Sequence, residues 1–177
     1  NSGRDGGQAC ARAKFAPVPE LQMTNPAREC SMRVNGVDLF EGCGLNQLVV
    51  GRDGVCAAVV NSPDAPRAAC FDTKTAGVGL EQLVSWIDEL PEGAPVMLTS
   101  CSRLAFVHNR QRLGVALKRL GAVDPPTRID DAYSLVGIKG ASTPLAEMRS
   151  PCCEVGTTLT NGQASDFCAK CDQTPSW

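Results

Sequence analysis

The sequence is poor in aromatic and charged residues, and it has no long hydrophobic run. Aromatic residues make up 5% and charged residues 20% of the 177 positions. The 17 basic and 19 acidic side chains nearly cancel, to a formal net charge of −2, which argues against a nucleic-acid partner. No apolar stretch approaches the roughly 20 residues that cross a bilayer, so we expect no membrane insertion. The 43% hydrophobic content is nevertheless too high for a disordered chain and suffices for one domain with a buried core.

Familiar catalytic and metal-binding motifs are also missing. The chain has no G-x-S-x-G, HExxH or P-loop, and its single histidine, His108, has no Cys or Ser constellation near it in sequence. Residues 137–140, Gly-Ile-Lys-Gly, resemble part of a phosphate-binding loop, but we interpret them as a turn at the end of a strand. Asp130 and Asp131 lack the D-x-D-x-D spacing of a calcium loop and are interpreted as solvated carboxylates. We therefore predict a protein that is not an enzyme and has no cofactor or metal.

Cysteine, by contrast, is abundant. The ten cysteines are Cys10, Cys30, Cys43, Cys56, Cys70, Cys101, Cys152, Cys153, Cys168 and Cys171. An even number in an acidic chain predicts disulfide bonds in an oxidising compartment, and hence a secreted, extracellular protein. The start at Asn1 is interpreted as that of a trimmed product. Zinc binding or redox chemistry by the last four cysteines is an alternative, but their vicinal pair departs from the paired CxxC pattern of a zinc ribbon.

Turn signals predict strands in the first half of the chain. An Asn-Gly pair inside residues 32–39 predicts a hairpin, because both residues accept the positive φ of a tight turn. A second hairpin is predicted from residues 45–50 and 55–60. Two prolines exclude residues 61–66 from the interior of a strand, so this stretch is predicted as a loop before a short strand that ends at Phe71.

Helical periodicity follows. An apolar residue recurs every three or four positions over residues 80–90, which predicts an amphipathic helix stopped by Pro91. A short buried strand is predicted at 96–99, and a last clear strand at 133–138. A second helix is predicted to begin near Ser102 and to end before Gly121, with inward residues Phe106, Leu113, Leu117 and Leu120. Strands alternating with helices predict a mixed α/β fold with some parallel pairing.

Three regions are predicted along the chain. Residues 1–9 are polar and glycine-rich and form a flexible N-terminus. Residues 10–148 form the domain. Apolar periodicity vanishes after Ser150, and residues 149–177 are predicted to be a cysteine-rich extension packed on the domain.

Several short segments carry a family resemblance through their order. Residues 44–46 read Gly-Leu-Asn, residues 71–73 read Phe-Asp-Thr, and a Leu-Gly pair ends at Gly121. Residues 131–140 read Asp-Ala-Tyr-Ser-Leu-Val-Gly-Ile-Lys-Gly. Together with the helix at 80–90, this order resembles the ILEI (interleukin-like epithelial–mesenchymal-transition inducer) domain of the FAM3 family, over about residues 10–148.

The resemblance implies a compact β/α/β sandwich of two sheets flanked by helices, stapled by disulfides and secreted. One member of the family is a lectin domain, the stem of a protein O-mannose N-acetylglucosaminyltransferase, which binds β-linked N-acetylglucosamine. Others are cytokine- or hormone-like ligands. The implied function is that of a carbohydrate-binding protein for N-acetylated hexosamines such as N-acetylglucosamine. A FAM3-like signalling ligand and a structural interaction module are the alternatives, and homo-oligomer formation is left open.

The resemblance also indicates candidate sugar-binding residues. Cys43, Arg103 and Asp130 align with the sugar-binding positions of the lectin relative, but none keeps the family's residue type. Arg103 and Asp130 would keep an Arg–Asp pair with its ends exchanged. The alternative is a surface ion pair between them worth about 0–1 kcal/mol.

Other polar residues near these positions complete the predicted site. Ser102, Asp131 and Tyr133 are expected to join Arg103 and Asp130 at one sheet edge, where helix and strand ends meet. Residues 61–69 appear as an insertion relative to the family, and a disulfide between Cys56 and Cys70 would staple the base of that insertion.

Overall fold

The computed structural model describes residues 21–24, 31–34, 37–38, 54–60, 68–72, 78–100, 110–126, 131–150, 154–160 and 163–169. Its strands are β1 (Leu21–Thr24), β2 (Ser31–Val34), β3 (Val37–Asp38), β4 (Gly54–Val59), β5 (Ala68–Asp72), β6 (Pro95–Ser100), β7 (Ala132–Ile138), β8 (Ala146–Ser150), β9 (Glu154–Thr160) and β10 (Gln163–Ala169). Its helices are α1 (Val78–Asp88) and α2 (Arg110–Lys118). Neither of these described helices is long and apolar enough to cross a membrane.

Five strands form an antiparallel sheet in the order β5-β4-β6-β7-β8. With the two helices, this sheet confirms the predicted mixed α/β class. The expected parallel pairing is wrong for these strands, because each of them pairs antiparallel with its neighbours. β5 and β6 do run in the same direction, but they lie on opposite sides of β4, so the connection through α1 crosses that strand.

The predicted hairpin at residues 32–39 is confirmed. β2 and β3 pair antiparallel, and Val34 lies opposite Val37, which leaves two residues for the turn. The second predicted hairpin is wrong, because both edges of β4 are already used by β5 and β6. Its other predicted strand, residues 45–50, lies outside the described residues, as does the loop predicted at 61–66.

The two helices bury the apolar stripes that the sequence indicates. The predicted stripe of α1 is at most 6% exposed at every position, and it consists of Leu80, Leu83, Val84, Ile87 and Leu90. Leu113 and Leu117 of α2 and Leu120 just beyond it are buried in the same cluster. Residues 101–109, which include Ser102 and Phe106, lie outside the described residues. The α2 end is as predicted, with Gly121 at a φ of +89°.

The part of the chain after β7 contains more regular structure than the sequence predicts. Residues 133–138 are not the last strand, because β8, β9 and β10 follow. β9 and β10 form a hairpin in which Thr160 lies opposite Gln163, and β9 also pairs with β1. β8 spans the predicted boundary between residues 148 and 149. The predicted division into regions, and a sandwich of two sheets, stay predictions.

One disulfide links two neighbouring strands of the sheet. Cys56 of β4 and Cys70 of β5 lie directly opposite each other and are bonded, as the sequence comparison with the family suggests. Cys168 lies in β10, and the other seven cysteines fall outside the described residues. Within the described ranges, no group of three or more His, Cys, Asp or Glu is placed to hold a metal ion.

Candidate functional site

Three strand ends meet at one edge of the sheet. The backbone N–H of Tyr133 donates to Ser100 Oγ at 3.0 Å, which joins the start of β7 to the end of β6. Ala132 of β7 lies opposite Ser150 of β8. The chain positions beside the predicted site residues therefore come together. Ser102, Arg103 and Asp130 themselves lie outside the described residues, as does His108.

Arg149 of β8 is held between two carboxylates at this edge. Its Nη1 donates to Asp131 Oδ2 at 3.3 Å, and its Nε donates to Asp124 Oδ2 at 3.0 Å. The side chain of Asp131 is 1% exposed, whereas those of Arg149 and Asp124 are 29% and 60% exposed. The hydrogen bond to Asp124 is the largest cause that raises the pKa of the Arg149 guanidinium. The cluster thus places a fixed cation between an inner and an outer carboxylate.

Tyr133 is buried inside the protein and supports the Arg149 cluster through a hydrogen bond to Glu147. Its side chain is fully buried, and its hydroxyl donates to Glu147 Oε1 at 2.5 Å. The other oxygen of Glu147 accepts the backbone N–H groups of Val123 and Asp124 at 2.8 and 3.1 Å. Glu147 therefore fixes the backbone that carries the Asp124 carboxylate. This burial favours a positioning role for Tyr133 in place of the predicted contact with a ligand.

Three residues of this cluster are absent from the sequence-based prediction. Arg149 and Glu147 alternate along β8, and the stretch Ala-Glu-Met-Arg-Ser has the alternation of a half-exposed strand. This alternation is the sequence signal from which β8, with Glu147 and Arg149 on one face, could have been predicted. Asp124 precedes two prolines in a loop, and no local feature distinguishes it from other loop carboxylates.

The Gly-Ile-Lys-Gly segment forms the end of β7 and the turn after it, as predicted. Lys139 Nζ donates to the backbone oxygen of Ile87 at 2.7 Å, in the last turn of α1. Burial is the main cause that lowers the pKa of Lys139. Gly140 then takes a φ of +82°. The lysine stabilises the end of α1, so the segment is explained without a phosphate ligand.

A separate groove of about 550 Å³ lies between α1 and β5. Its lining residues are Phe71, Val78, Glu81, Gln82, Ser85, Trp86 and Glu89. Trp86 packs edge-on against Phe71 with ring centroids 6.1 Å apart and is 7% exposed, so it belongs to the packing between α1 and β5. Its Nε1 has no hydrogen-bond acceptor in the part of the chain that the structure describes. The groove combines an apolar wall with a rim of carboxylate, amide and hydroxyl groups.

No protein-family model matches the chain, and no curated protein matches it.

Proposed function

We propose that the protein is a secreted, non-enzymatic carbohydrate-binding module of the ILEI/FAM3 type that recognises N-acetylated hexosamines. The proposed site is the sheet edge around Arg149. One observation carries the proposal: the Arg149 guanidinium is fixed between the carboxylates of Asp131 and Asp124.

The chemistry of this cluster suits a neutral, hydroxyl-rich ligand. A carboxylate accepts hydrogen bonds from sugar hydroxyls, and a guanidinium donates to a carbonyl or ring oxygen such as that of an acetamido group. Among the described residues of the cluster, Arg149 carries one positive charge against the two negative charges of Asp131 and Asp124, a balance that does not favour an anionic ligand. The sequence neighbours Ser102, Arg103 and Asp130 would add further polar groups to the same edge.

Preorganisation supports the same proposal. Sugar binding is weak, and the free energy needed to order a flexible site would reduce it further. A site that is already ordered avoids this loss. Here the Asp124 backbone is fixed by Glu147, and Glu147 is fixed by buried Tyr133. The Cys56–Cys70 disulfide supports both a rigid sheet and an oxidising compartment.

The proposed fold is the two-sheet sandwich that the family resemblance implies. Cα atoms of β9 come within 8 Å of those of β7 and β8, and β1 comes equally near β6. β4 and β6 are buried along their whole length, as expected for strands covered on both faces. These contacts support a second layer of strands on the face opposite the helices.

The proposal is tested by calorimetric titration of the whole chain with N-acetylglucosamine and with glucose. We expect binding of the acetamido sugar and much weaker binding of glucose. Arg149→Ala should abolish binding. Arg112→Ala is the control, because it removes an arginine that forms an ion pair away from the proposed site, with Glu81 on the exposed helical surface. Circular dichroism checks that Arg149→Ala and Arg112→Ala are folded. If folded Arg149→Ala binds N-acetylglucosamine as tightly as wild type does, the proposed site is contradicted.

A further inference from the structure

A second cavity, separate from the Arg149 cluster and from the groove beside β5, contains a buried amine. Its volume is about 450 Å³, which lies in the range of small-ligand sites, and its lining residues are Asp88, Glu92, Arg119, Lys139 and Gly140. Lys139 is 8% exposed, and lysine is almost never so buried unless its charge is paired. Lys139 is therefore the unusual group in this cavity.

Hydrogen bonds fix Lys139 beside the cavity. Its backbone N–H donates to Ala94 O, and its backbone oxygen accepts the N–H of Gly93, both at 2.9 Å. Its Nζ donates to Ile87 O at 2.7 Å. Within the part of the chain that the structure describes, Nζ makes no other hydrogen bond and no ion pair. One acceptor thus positions the nitrogen, and its remaining valences are left for a ligand.

The surroundings of Lys139 favour a neutral amine. Burial is the main cause that lowers its pKa; the negative charge of Glu92 opposes this, and the positive charge of Arg119 adds to it. Glu92 lies against the next residue, because a Cβ on Gly140 would collide with its carboxylate. Arg119 is itself paired with Asp88. The unprotonated, nucleophilic form of Lys139 is therefore more populated than it is in water.

The chemistry of the cavity indicates the kind of ligand. A desolvated lysine is the side chain that forms Schiff bases with carbonyl compounds. Every described side chain in the lining is polar, which suits hydroxyl groups better than a hydrocarbon chain. We infer that Lys139 is a modification site for small hydroxylated aldehydes, such as the open-chain forms of sugars, which it binds as an imine.

The reaction needs no oxidant or reductant. The Nζ lone pair attacks the carbonyl carbon, and a proton moves from nitrogen to oxygen to give a carbinolamine. Loss of that oxygen as water forms the C=N bond, so one amine and one aldehyde give one imine and one water. The protonated imine keeps an N–H that can donate to Ile87 O, as the free amine does.

Reductive trapping on the whole folded chain tests this inference. Cyanoborohydride converts an imine formed with glyceraldehyde into a stable secondary amine, and peptide mass spectrometry gives the rate at each lysine. Lys139 should react severalfold faster than Lys118, an exposed lysine of α2, and this difference should vanish in concentrated urea. The Lys139 rate should also level off at a lower pH in the folded protein than in urea. If Lys139 reacts no faster than Lys118 in the folded protein, the inference is overturned.

Propanal in place of glyceraldehyde tests the class of ligand. The polar lining offers its ethyl group no apolar contact, so the ratio of the Lys139 rate to the Lys118 rate should fall severalfold. An equal or higher ratio with propanal would contradict a hydroxylated ligand.

A matched pair of variants locates the reaction in this cavity. Glu92→Gln removes the charge that favours the ammonium form, so Lys139 should react about two- to fivefold faster. Glu89→Gln is the same change outside this cavity lining and should leave the rate unchanged. Equal Lys139 rates in the two variants would contradict the inference.

Discussion

Alkaline pH offers a direct probe of the buried support under the Arg149 cluster, because Tyr133 is the single tyrosine of the chain. Burial, followed by the hydrogen bond to the Glu147 carboxylate, raises its pKa above the ordinary value of 10.0. In the unfolded chain the phenol ionises near 10, while the folded protein keeps its proton. Between these two pKa values the folded state binds more protons, so its stability falls as pH rises. The loss approaches about 1.4 kcal/mol per pH unit.

Tyr133→Phe removes this linkage together with the hydroxyl. At neutral pH the variant should be less stable by about 1.5–3 kcal/mol, because a buried hydrogen bond to a charged acceptor is lost. Above pH 10 the difference in the free energy of unfolding between wild type and Tyr133→Phe should shrink by about 1.4 kcal/mol per pH unit. Only wild type has the phenol that ionises on unfolding, so only wild type loses stability for this reason. The comparison cancels alkaline effects that both proteins share.

Two assays measure this. Tyrosinate absorbance, followed against pH, should show no ionisation near 10 in the folded protein and ordinary ionisation in concentrated urea. Urea unfolding of both proteins, from about pH 8 to about pH 11, gives the free energies of unfolding. A phenol that titrates near 10 in the folded protein, or parallel stability profiles for the two proteins, would refute the buried Tyr133–Glu147 bond.

Three further changes test the scaffold by urea unfolding. Replacing both Cys56 and Cys70 by Ala opens a cross-link with a sequence separation of 14 and should cost about 3 kcal/mol; a stability unaffected by reduction in wild type would contradict it. Gly121→Ala should cost about 1–3 kcal/mol, because φ is +89° and a Cβ would lie 2.7 Å from the Thr143 backbone oxygen; an unchanged midpoint would speak against this geometry. Lys139→Met keeps the buried stem but loses the bond to the end of α1, and should cost about 1–3 kcal/mol; full stability would show that the bond contributes nothing.

The elements with a strong local signal were predictable from the sequence. The apolar stripe of α1, the run in β6 and the Asn-Gly turn between β2 and β3 each depend on a few adjacent residues. The partners of β4 were not predictable in this way. Its turn signal at residues 51–54 pointed to the preceding segment, but the sheet pairs β4 with β5 and β6, and nothing local encodes such a long-range choice.

The β9–β10 hairpin was not predicted, for a different reason. Residues 161–162 are Asn-Gly, the same signal that predicted the first hairpin correctly. The loss of apolar periodicity after Ser150 and the closely spaced cysteines led to the prediction of a cysteine-rich extension without strands being assigned to it, although a two-residue turn signal was present. Cysteine content constrains cross-links and does not exclude regular strands.

The candidate site was predictable only in part. The family resemblance indicated Asp131 and an Arg103–Asp130 pair near the start of β7, and that pair lies outside the described residues and stays a prediction. Among the described residues, the arginine beside Asp131 is Arg149, because the β7–β8 register sets Tyr133 opposite Arg149, and such a register depends on tertiary pairing. Tyr133 has an amphipathic side chain that suits either a surface or a core, so its burial required the packed structure.

Titration of isotopically labelled protein with N-acetylglucosamine, followed by amide chemical shifts, tests the proposed function most directly. The account predicts saturable shifts at Asp131, Ala132 and Arg149, with little change along α1. It also predicts that glucose at the same concentration leaves these shifts nearly unchanged. Shifts confined to α1 and β5, or no shifts at millimolar sugar, would contradict a sugar site at this sheet edge.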